Sequence, residues 1–252
     1  MRRELLMSVQ NLYPSRIAQI YDLLYPDFFD DIATFCDFMH SRSAGTRVLE
    51  YGVGTGRIAL PLVQSGFDVT GLDISTDMLT ILKEKDTEGL VKVVEQDFIT
   101  EPAEGTYDAV LLMINTLFVA KTLDEQIAVF RNAAAALADD GFFLVETFNP
   151  NQYHGLRKPD AQMRQLSEDI TQLEQYVVEP TRQLLISQNL VLQEGKQFNY
   201  THVLRYLFPL EMDAVARNAG LVVAERWADW GTTPFGPDSP RCLSLYRKEQ
   251  AK

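Results

Sequence analysis

Short apolar runs alternate with amphipathic stretches along the chain after residue 45. Seven of these runs are rich in β-branched and aliphatic residues, a composition that is typical of strands. They cover residues 47–51, 68–72, 91–94, 109–114, 141–147, 222–227 and 242–247. Because strands that alternate with helices form sheets covered on both faces, the pattern predicts an α/β domain with a seven-stranded, mostly parallel sheet.

The clearest helix signal lies between the fourth and fifth of these runs. Thr122 and Glu125 have the spacing of a capping box, in which each side chain accepts a hydrogen bond from the backbone of the other. Apolar residues then recur on one helical face at positions 127, 130, 134 and 137. We therefore expect a helix that begins after Thr122 and ends at the turn 139–141.

Residues 149–208 interrupt the alternation. They contain three β-rich runs, 169–178, 183–192 and 197–208, separated by the turn signals Glu179-Pro180 and Glu194-Gly195. Consecutive strands joined by short turns predict an inserted, antiparallel, three-stranded meander. Its aromatic face could pack against the main domain, pack against another subunit, or line a substrate cavity. The predicted division is an N-terminal helical cap (1–45), a main domain (46–148 and 209–252) and the insertion (149–208).

The composition limits the possible partners and the location. The chain has 252 residues, 35 acidic and 23 basic side chains, and a formal net charge of -12. This balance argues against binding to nucleic-acid phosphates and suits a cationic or neutral substrate, although solubility alone explains it equally well. No apolar run reaches membrane-spanning length and no secretory signal is visible, so we expect a cytoplasmic protein. Cys36 and Cys242 lack metal-ligand spacing, so no metal site is expected.

A glycine-rich turn, Gly52-Val-Gly54-Thr-Gly56, follows the first strand directly. It formally matches a dinucleotide-binding fingerprint, but a pyrophosphate would be repelled by Glu50 just ahead of it. Two further acids, Asp73 and Asp97, end the second and third strands. The three acids could meet an ammonium group, a ribose and an adenine amino group respectively. A ligand with these parts and no phosphate is S-adenosylmethionine.

These segments resemble the class I S-adenosylmethionine-dependent methyltransferases, which are Rossmann-like, over roughly residues 20–247. The matching motifs are Leu49-Glu50-Tyr-Gly52-Val-Gly54-Thr-Gly56-Arg57, Gly71-Leu-Asp73-Ile74-Ser75 with Met78, and Gln96-Asp97-Phe98. The resemblance implies that Glu50 and the three glycines surround the methionine part of the cofactor and that Asp73 holds the ribose. It further implies that Ile74, Met78, Asp97 and Phe98 contact the adenine. Tyr21, Arg57, Gln96, Met113 and Asn115 complete the predicted cofactor-binding set.

The methyl acceptor is less clearly indicated. The stretch from Asn115 to Phe118 resembles linaridin-type (cypemycin-like) peptide α-N-methyltransferases, whereas Tyr21-Asp22-x-x-Tyr25 and the insertion resemble aminosugar N,N-dimethyltransferases. Both groups methylate amines, so a small-molecule or peptide amine is the expected substrate of a monomer or homodimer. O-methylation of a sugar or polyketide hydroxyl and a non-catalytic, cofactor-binding role remain the alternatives.

Several side chains are candidates for the acceptor site. Tyr21, Tyr25 and Asn115 are expected to surround the reacting group, and His154 and His202 could accept its proton, although a structural role for either histidine is open. Arg241 could bind an acidic group of the acceptor.

Overall fold

The computed structural model describes residues 15–25 and 31–249, and these residues form two sheets with helices around them. The helices are α1 (Ser15–Leu24), α2 (Ile32–Arg42), α3 (Ala59–Gln64), α4 (Thr76–Lys85), α5 (Leu123–Ala136), α6 (Asn151–His154) and α7 (Pro209–Asn218). The strands are β1 (Arg47–Tyr51), β2 (Asp68–Asp73), β3 (Lys92–Glu95), β4 (Tyr107–Leu112), β5 (Leu137–Phe148), β6 (Asp160–Gln165), β7 (Ile170–Glu179), β8 (Leu184–Gln193), β9 (Lys196–Arg205), β10 (Leu221–Trp227) and β11 (Arg241–Lys248). A short 3-10 helix spans Thr116–Val119.

Within the described residues the main sheet has seven strands in the order β10-β11-β5-β4-β1-β2-β3. The neighbours from β5 to β3 are parallel, whereas β11 runs antiparallel to both β5 and β10. The predicted mostly parallel sheet is confirmed. The strand order reverses between β1 and β4, and in such sheets ligands bind beyond the carboxyl ends of the strands at this point.

Successive residues of β4 show why the sheet is covered on both faces. Val110 and Leu112 pack in one buried cluster with residues of α5 and α7. Ala109 and Leu111 point the other way, into a second cluster with residues of α2, α3 and α4. A strand that is buried on both faces is a continuous apolar run, which is how the sequence identified it.

The insertion forms a separate antiparallel sheet in the order β6-β7-β8-β9. Antiparallel pairing is confirmed, but the predicted number of three strands is wrong, because β6 is a fourth strand at the edge. Five of its six residues are exposed, and Met163 retains 73% of its accessible surface. An exposed edge strand needs no apolar alternation, so the sequence pattern gave no sign of it. The third predicted run ends at Arg205 rather than at residue 208.

Helix α5 begins with the predicted capping box. Thr122 Oγ1 accepts a hydrogen bond from Glu125 N at 3.1 Å, and the Glu125 carboxylate accepts one from Thr122 N at 3.0 Å. The predicted end of the helix is wrong: α5 stops at Ala136 and β5 begins at Leu137. The expected turn at 139–141 lies within β5, where its pairing with β4 shifts register.

Helix α1 joins the insertion to the main domain. Its buried residues Ile17, Ile20 and Leu24 form a cluster with Ile170, Val191 and Tyr200 of the insertion sheet. The predicted cap, residues 1–45, contains α1 and α2, whereas residues 1–14 and 26–30 of it lie outside the described part of the chain. The three predicted domain boundaries stay predictions.

The capping box at the start of α5 predicts that the loss of one side chain, that of Thr122, lowers the free energy of unfolding. Thr122→Ala removes the side chain that accepts the Glu125 N–H, and we expect the free energy of unfolding to fall by about 1 kcal/mol. Urea unfolding followed by circular dichroism measures this change. Thr181→Ala, at an exposed turn position, is the matched control. An equal loss in both variants would contradict the assignment.

Candidate active site

A cavity of about 330 Å³ lies beyond the carboxyl ends of β1, β2, β4 and β5, and the insertion closes it on another side. Residues of the main sheet and its loops line one part: Gly52, Gly54, Asp73, Ile74, Ser75, Met78, Asp97 and Phe98. The other part is lined by Glu146, Phe148, Tyr153, Glu174, Tyr176, Ser187, His202 and Arg241. A second cavity of about 30 Å³ shares Gly52 and Gly54 with the first and reaches Glu50, Arg57 and Met113.

Two glycines of the loop after β1 are required for different reasons. Gly54 has φ +54°, and a Cβ there would meet nothing closer than Gly52 O at 3.9 Å, so its backbone borders open space in the cavity. Gly56 has φ +81°, and its Cβ would lie 2.1 Å from Leu82 Cδ1. Gly54 therefore allows a ligand to approach the backbone closely, whereas Gly56 lets the loop pack on α4.

Asp73 holds the loop against the end of β2. Its carboxylate accepts hydrogen bonds from Gly54 N and Ser75 N, both at 2.9 Å. Burial raises the pKa of Asp73, and these backbone donors act against that rise. The same carboxylate lines the cavity, where a ribose hydroxyl could donate to it. Asp97, at the next strand end, also lines the cavity and accepts a hydrogen bond from Ile99 N at 2.9 Å.

Glu50 is a buried acid whose environment suits a cation. Its side chain is 2% exposed, and Ala59 N–H donates to its carboxyl group. Within the described residues its Oε2 atom has no hydrogen-bond partner. Burial, and then repulsion by Asp73, raise the pKa of Glu50 well above its usual value. An ammonium group in the small cavity would satisfy Oε2 and favour the charged carboxylate, so the predicted cofactor fits here.

The turn after β4 is strained and is held by β5. Ile114 has φ +49° and Asn115 has φ +63°, which is unfavourable above all for the β-branched isoleucine. Ile114 N donates to Glu146 Oε2 at 3.2 Å, and Asn115 N donates to Glu146 O at 3.1 Å. Asn115 Oδ1 in turn accepts from Phe148 N at 2.6 Å. The amide oxygen of Asn115 is thus used to hold the turn that borders the cavity.

The buried Glu146 side chain also forms an ion pair with a partly exposed arginine of the neighbouring strand β11. Its Oε1 atom lies 3.2 Å from Nη1 of Arg241, at the start of β11. Burial raises the pKa of Glu146, while Arg241 and the Ile114 N–H act in the opposite direction. Since Arg241 is paired in this way, its charge is already balanced before any ligand binds.

Asp22 fastens α1 to the glycine loop. It accepts hydrogen bonds from Thr55 Oγ1 at 2.9 Å and Arg57 Nη2 at 3.1 Å, and it forms a close ion pair with Lys85. Burial raises the pKa of Asp22, but these three donors outweigh burial and lower it overall. The Arg57 guanidinium also lies 5.4 Å from the ring centroid of Tyr21. These contacts keep Tyr21 at the cavity. They also show that Arg57 holds helix α1 against the glycine loop.

The structure brings most of the predicted site residues together. Those at one or both cavities are Tyr21, Tyr25, Glu50, Gly52, Gly54, Arg57, Asp73, Ile74, Met78, Asp97, Phe98, Met113, Asn115, His202 and Arg241. Gly56, Gln96 and His154 line neither. The Gln96 amide donates to the backbone oxygens of residues 101 and 102, and His154 Nδ1 lies 2.8 Å from Tyr206 Oη. Both side chains thus have partners outside the two cavities, and their predicted roles in the site stay predictions.

Several lining residues were not predicted, notably Glu146, Tyr153, Glu174 and Tyr176. Glu146 had one usable signal, because it is the single acid in the apolar run 142–148. Glu174 had no such signal in the sequence, because polar residues of an antiparallel strand are expected on the solvent side of the sheet.

Comparison with known proteins gives a consistent result. A family described as a methyltransferase domain matches residues 22–225. The solved structure of the CcbJ methyltransferase from Streptomyces caelestis has a TM-score of 0.88 at 32% identity, covering 96% of this chain and 100% of that one. The cypemycin N-terminal methyltransferase of a Streptomyces species is 32% identical over 149 residues, which are 58% of this chain and 60% of that protein.

A more distant structure shares the fold. It is an amino pentose methyltransferase from Micromonospora echinaspora with S-adenosylmethionine bound, and it has a TM-score of 0.74 at 20% identity, covering 95% of this chain and 99% of that one. The resemblance drawn from the sequence motifs is confirmed by these similarities. Among the described helices, none has the length and apolar character that a membrane crossing requires.

The contacts of Asp22 predict that the cap contributes to cofactor binding. Asp22→Asn weakens three interactions with the loop and α4, and we expect the Kd for S-adenosylmethionine to rise about fivefold, a cost of about 1 kcal/mol. Isothermal titration calorimetry measures the change. Asp37→Asn, on the exposed side of α2, should bind as the wild type does. Unchanged affinity in Asp22→Asn would show that α1 makes no contribution.

The raised pKa of Glu50 predicts opposite effects on stability and binding. In the free protein, ionisation of this buried acid costs stability as the pH rises through its raised pKa, so Glu50→Gln should melt no lower than the wild type at neutral pH. The same change should raise the Kd for S-adenosylmethionine about 10-fold or more, because it removes a charged partner of the ammonium group.

The pH dependence supplies the control for this prediction. Wild-type affinity for the cofactor should fall as the pH drops towards the raised pKa of Glu50, whereas Glu50→Gln should show no such fall. Glu84→Gln, at an exposed position of α4, should keep the wild-type profile. A pH profile shared by all three proteins would rule out Glu50 as the ammonium partner.

Proposed function

This chain belongs to the methyltransferase-domain family and uses S-adenosylmethionine as its methyl donor, and on that premise we propose that it methylates the nitrogen of an amine. The observation that carries the proposal is the composition of the second part of the cavity. Two carboxylates, Glu146 and Glu174, lie there among the rings of Phe148, Tyr153 and Tyr176.

Such a wall suits a group that gains positive charge as it reacts. A neutral amine becomes a substituted ammonium when it accepts the methyl group, and carboxylates and aromatic faces stabilise that cation. Arg241 is the one lysine or arginine among the described residues that line the large cavity, and it is paired with Glu146. The cavity is therefore acidic overall, which favours an amine over an anionic acceptor.

When bound, S-adenosylmethionine supplies an electrophilic methyl group on a sulfonium sulfur. The chain's own residues have to bind, orient and exclude water, since an in-line displacement needs little covalent help from the protein. Glu50 would hold the ammonium group of the cofactor, Asp73 its ribose and Asp97 its adenine edge. The Asp22 contacts keep α1 and Tyr21 over the site.

The proton released from the product also needs an acceptor. An α-amino group has a pKa of roughly 7.7–8.0, so a substantial fraction is neutral at cytosolic pH without a strong base. His202 lies in the cavity wall and is our candidate for the proton after transfer. We prefer it to His154, which lines neither cavity and whose Nδ1 atom contacts Tyr206 Oη.

The described substrates of two relatives support the proposal that the methyl acceptor is an amine. The cypemycin enzyme is described as an N-terminal methyltransferase, and the Micromonospora enzyme as an amino pentose methyltransferase. Their substrates differ in size, but a peptide N-terminus and an amino sugar both present an amine.

Product analysis tests the proposal. Purified protein, S-adenosylmethionine and a mixture of amine and alcohol acceptors should give methylated amines, with the methyl group assigned to nitrogen by fragmentation mass spectrometry. The same mixture without the protein controls for methylation without the enzyme. Methylation confined to hydroxyl oxygens would contradict the proposal, and no cofactor binding at all would contradict any methyltransferase activity.

A further inference from the structure

A connected set of polar side chains is buried on the cavity-facing side of the insertion. Gln172, Glu174, Ser187 and Asn189 are each at most 6% exposed, although they lie on strands of a sheet whose other face meets solvent. Glu174 and Ser187 line the large cavity, as do Tyr176 and His202 beside them. We call Arg164, Gln172, Asn189, Ser187 and Glu174 the polar network.

The register of the strands sets this arrangement. Tyr176 lies opposite Ser187 on β8, and Ser187 lies opposite His202 on β9, so three hydrogen-bonding side chains cross the sheet in one row. The next row on the same face is apolar at Leu185 and Leu204. The cavity wall thus has a polar strip beside an apolar one.

One chain of hydrogen bonds runs through the polar network towards Glu174. Asn189 Nδ2 donates to Ser187 Oγ at 2.7 Å, and Ser187 Oγ donates to Glu174 Oε1 at 2.7 Å. Gln172 Nε2 donates to Asn189 Oδ1 at 2.6 Å, and Arg164 Nη2 donates to Gln172 Oε1 at 2.7 Å. Arg164 Nη2 also donates to Leu24 O, and Gln172 Nε2 also donates to Tyr200 Oη, both at 3.1 Å. The chain of bonds itself ends on the Glu174 carboxylate.

Glu174 is also held from two other sides. Arg164 Nη2 lies 3.6 Å from its Oε2 atom, and the Tyr176 side chain forms a hydrogen bond with the carboxylate. A carboxylate offers about four lone-pair positions, so the two hydrogen-bond donors, Ser187 and Tyr176, leave room for a further donor. A ligand in the cavity therefore meets an oriented hydrogen-bond acceptor, the Glu174 carboxylate. It gains binding free energy from that carboxylate only if it carries a hydrogen-bond donor.

We propose that Glu174, oriented by the polar network, binds a second hydrogen-bond donor of the methyl acceptor, away from the nitrogen that is methylated. The inference rests on the proposed N-methylation and narrows its substrate class to amines that also carry a hydroxyl or a second ammonium group. An acceptor with a carboxylate in that place would be repelled by Glu174. A purely apolar amine would offer the buried carboxylate no further donor.

Three matched amines test the inference directly. The probes are trans-4-aminocyclohexanol, cyclohexylamine and trans-4-aminocyclohexanecarboxylic acid, which share one ring and one amine and differ in the remote group. They are assayed at about pH 9, which raises the neutral fraction of each amine. We expect the wild type to methylate the alcohol with a kcat/KM about 10-fold above that of cyclohexylamine, and the acid least of all.

Variants assign the preference to the polar network. Glu174→Gln keeps the size and one acceptor oxygen but loses the charge, and it should bring the alcohol-to-cyclohexylamine ratio to within about threefold of one. The change should appear mainly in the KM of the alcohol. Ser187→Ala, which frees Glu174 from one donor, should lower the ratio less. Glu179→Gln, at the end of the same strand and paired with Arg182, should leave it unchanged.

The outcomes separate the inference from the proposed function. If the wild type methylates all three amines equally, or if Glu174→Gln keeps the full preference while binding the cofactor normally, the inference is overturned and N-methylation stands. If no amine is methylated at nitrogen, both are overturned. Cofactor affinity and thermal melting of each variant show that it is folded.

Discussion

The carboxylate of Glu146 joins three strands where the two parts of the cavity meet. From β5 it accepts the Ile114 N–H in the turn after β4 and pairs with Arg241 of β11. The turn at Ile114 and Asn115 has a backbone conformation that isoleucine adopts only under constraint, and Glu146 supplies the constraint. Because this turn borders both the cofactor side and the acceptor side, the buried Glu146 carboxylate that holds it acts on both.

The carboxylates of the site differ in the groups that hydrogen-bond to them or pair with them, and each set of partners suits a different role. Backbone N–H groups hold Asp73, cationic side chains hold Asp22, and a chain of neutral side chains together with Arg164 holds Glu174. Glu50 alone among the buried acids described above keeps an oxygen without a partner. Some of the acidic residues that give the chain its negative net charge thus lie in the site, where they can attract and orient cationic groups. Solubility is therefore not the only role of this charge.

Sequence patterns predicted the parts of the fold in which burial and periodicity agree. The parallel strands are apolar on both faces, and the ends of β1, β2 and β3 carry acids within a short distance along the chain, so the cofactor side was visible. β6 was missed because an exposed edge strand carries no apolar period. Glu146 and Arg241 were not connected because they are 95 residues apart in sequence. Glu174 was missed because its inward direction depends on strand register, which local pattern does not define.

The buried carboxyl group of Glu50 has a consequence for the lifetime of the protein in the cell. Burial of this group costs stability while the site is empty, and cofactor binding would offset that cost. The fraction of folded protein would therefore rise with the cofactor concentration by mass action. Proteases cut the opened chain, so degradation should quicken when the methyl donor is scarce and slow when it is plentiful. The amount of this enzyme would then follow the supply of the methyl donor that it consumes.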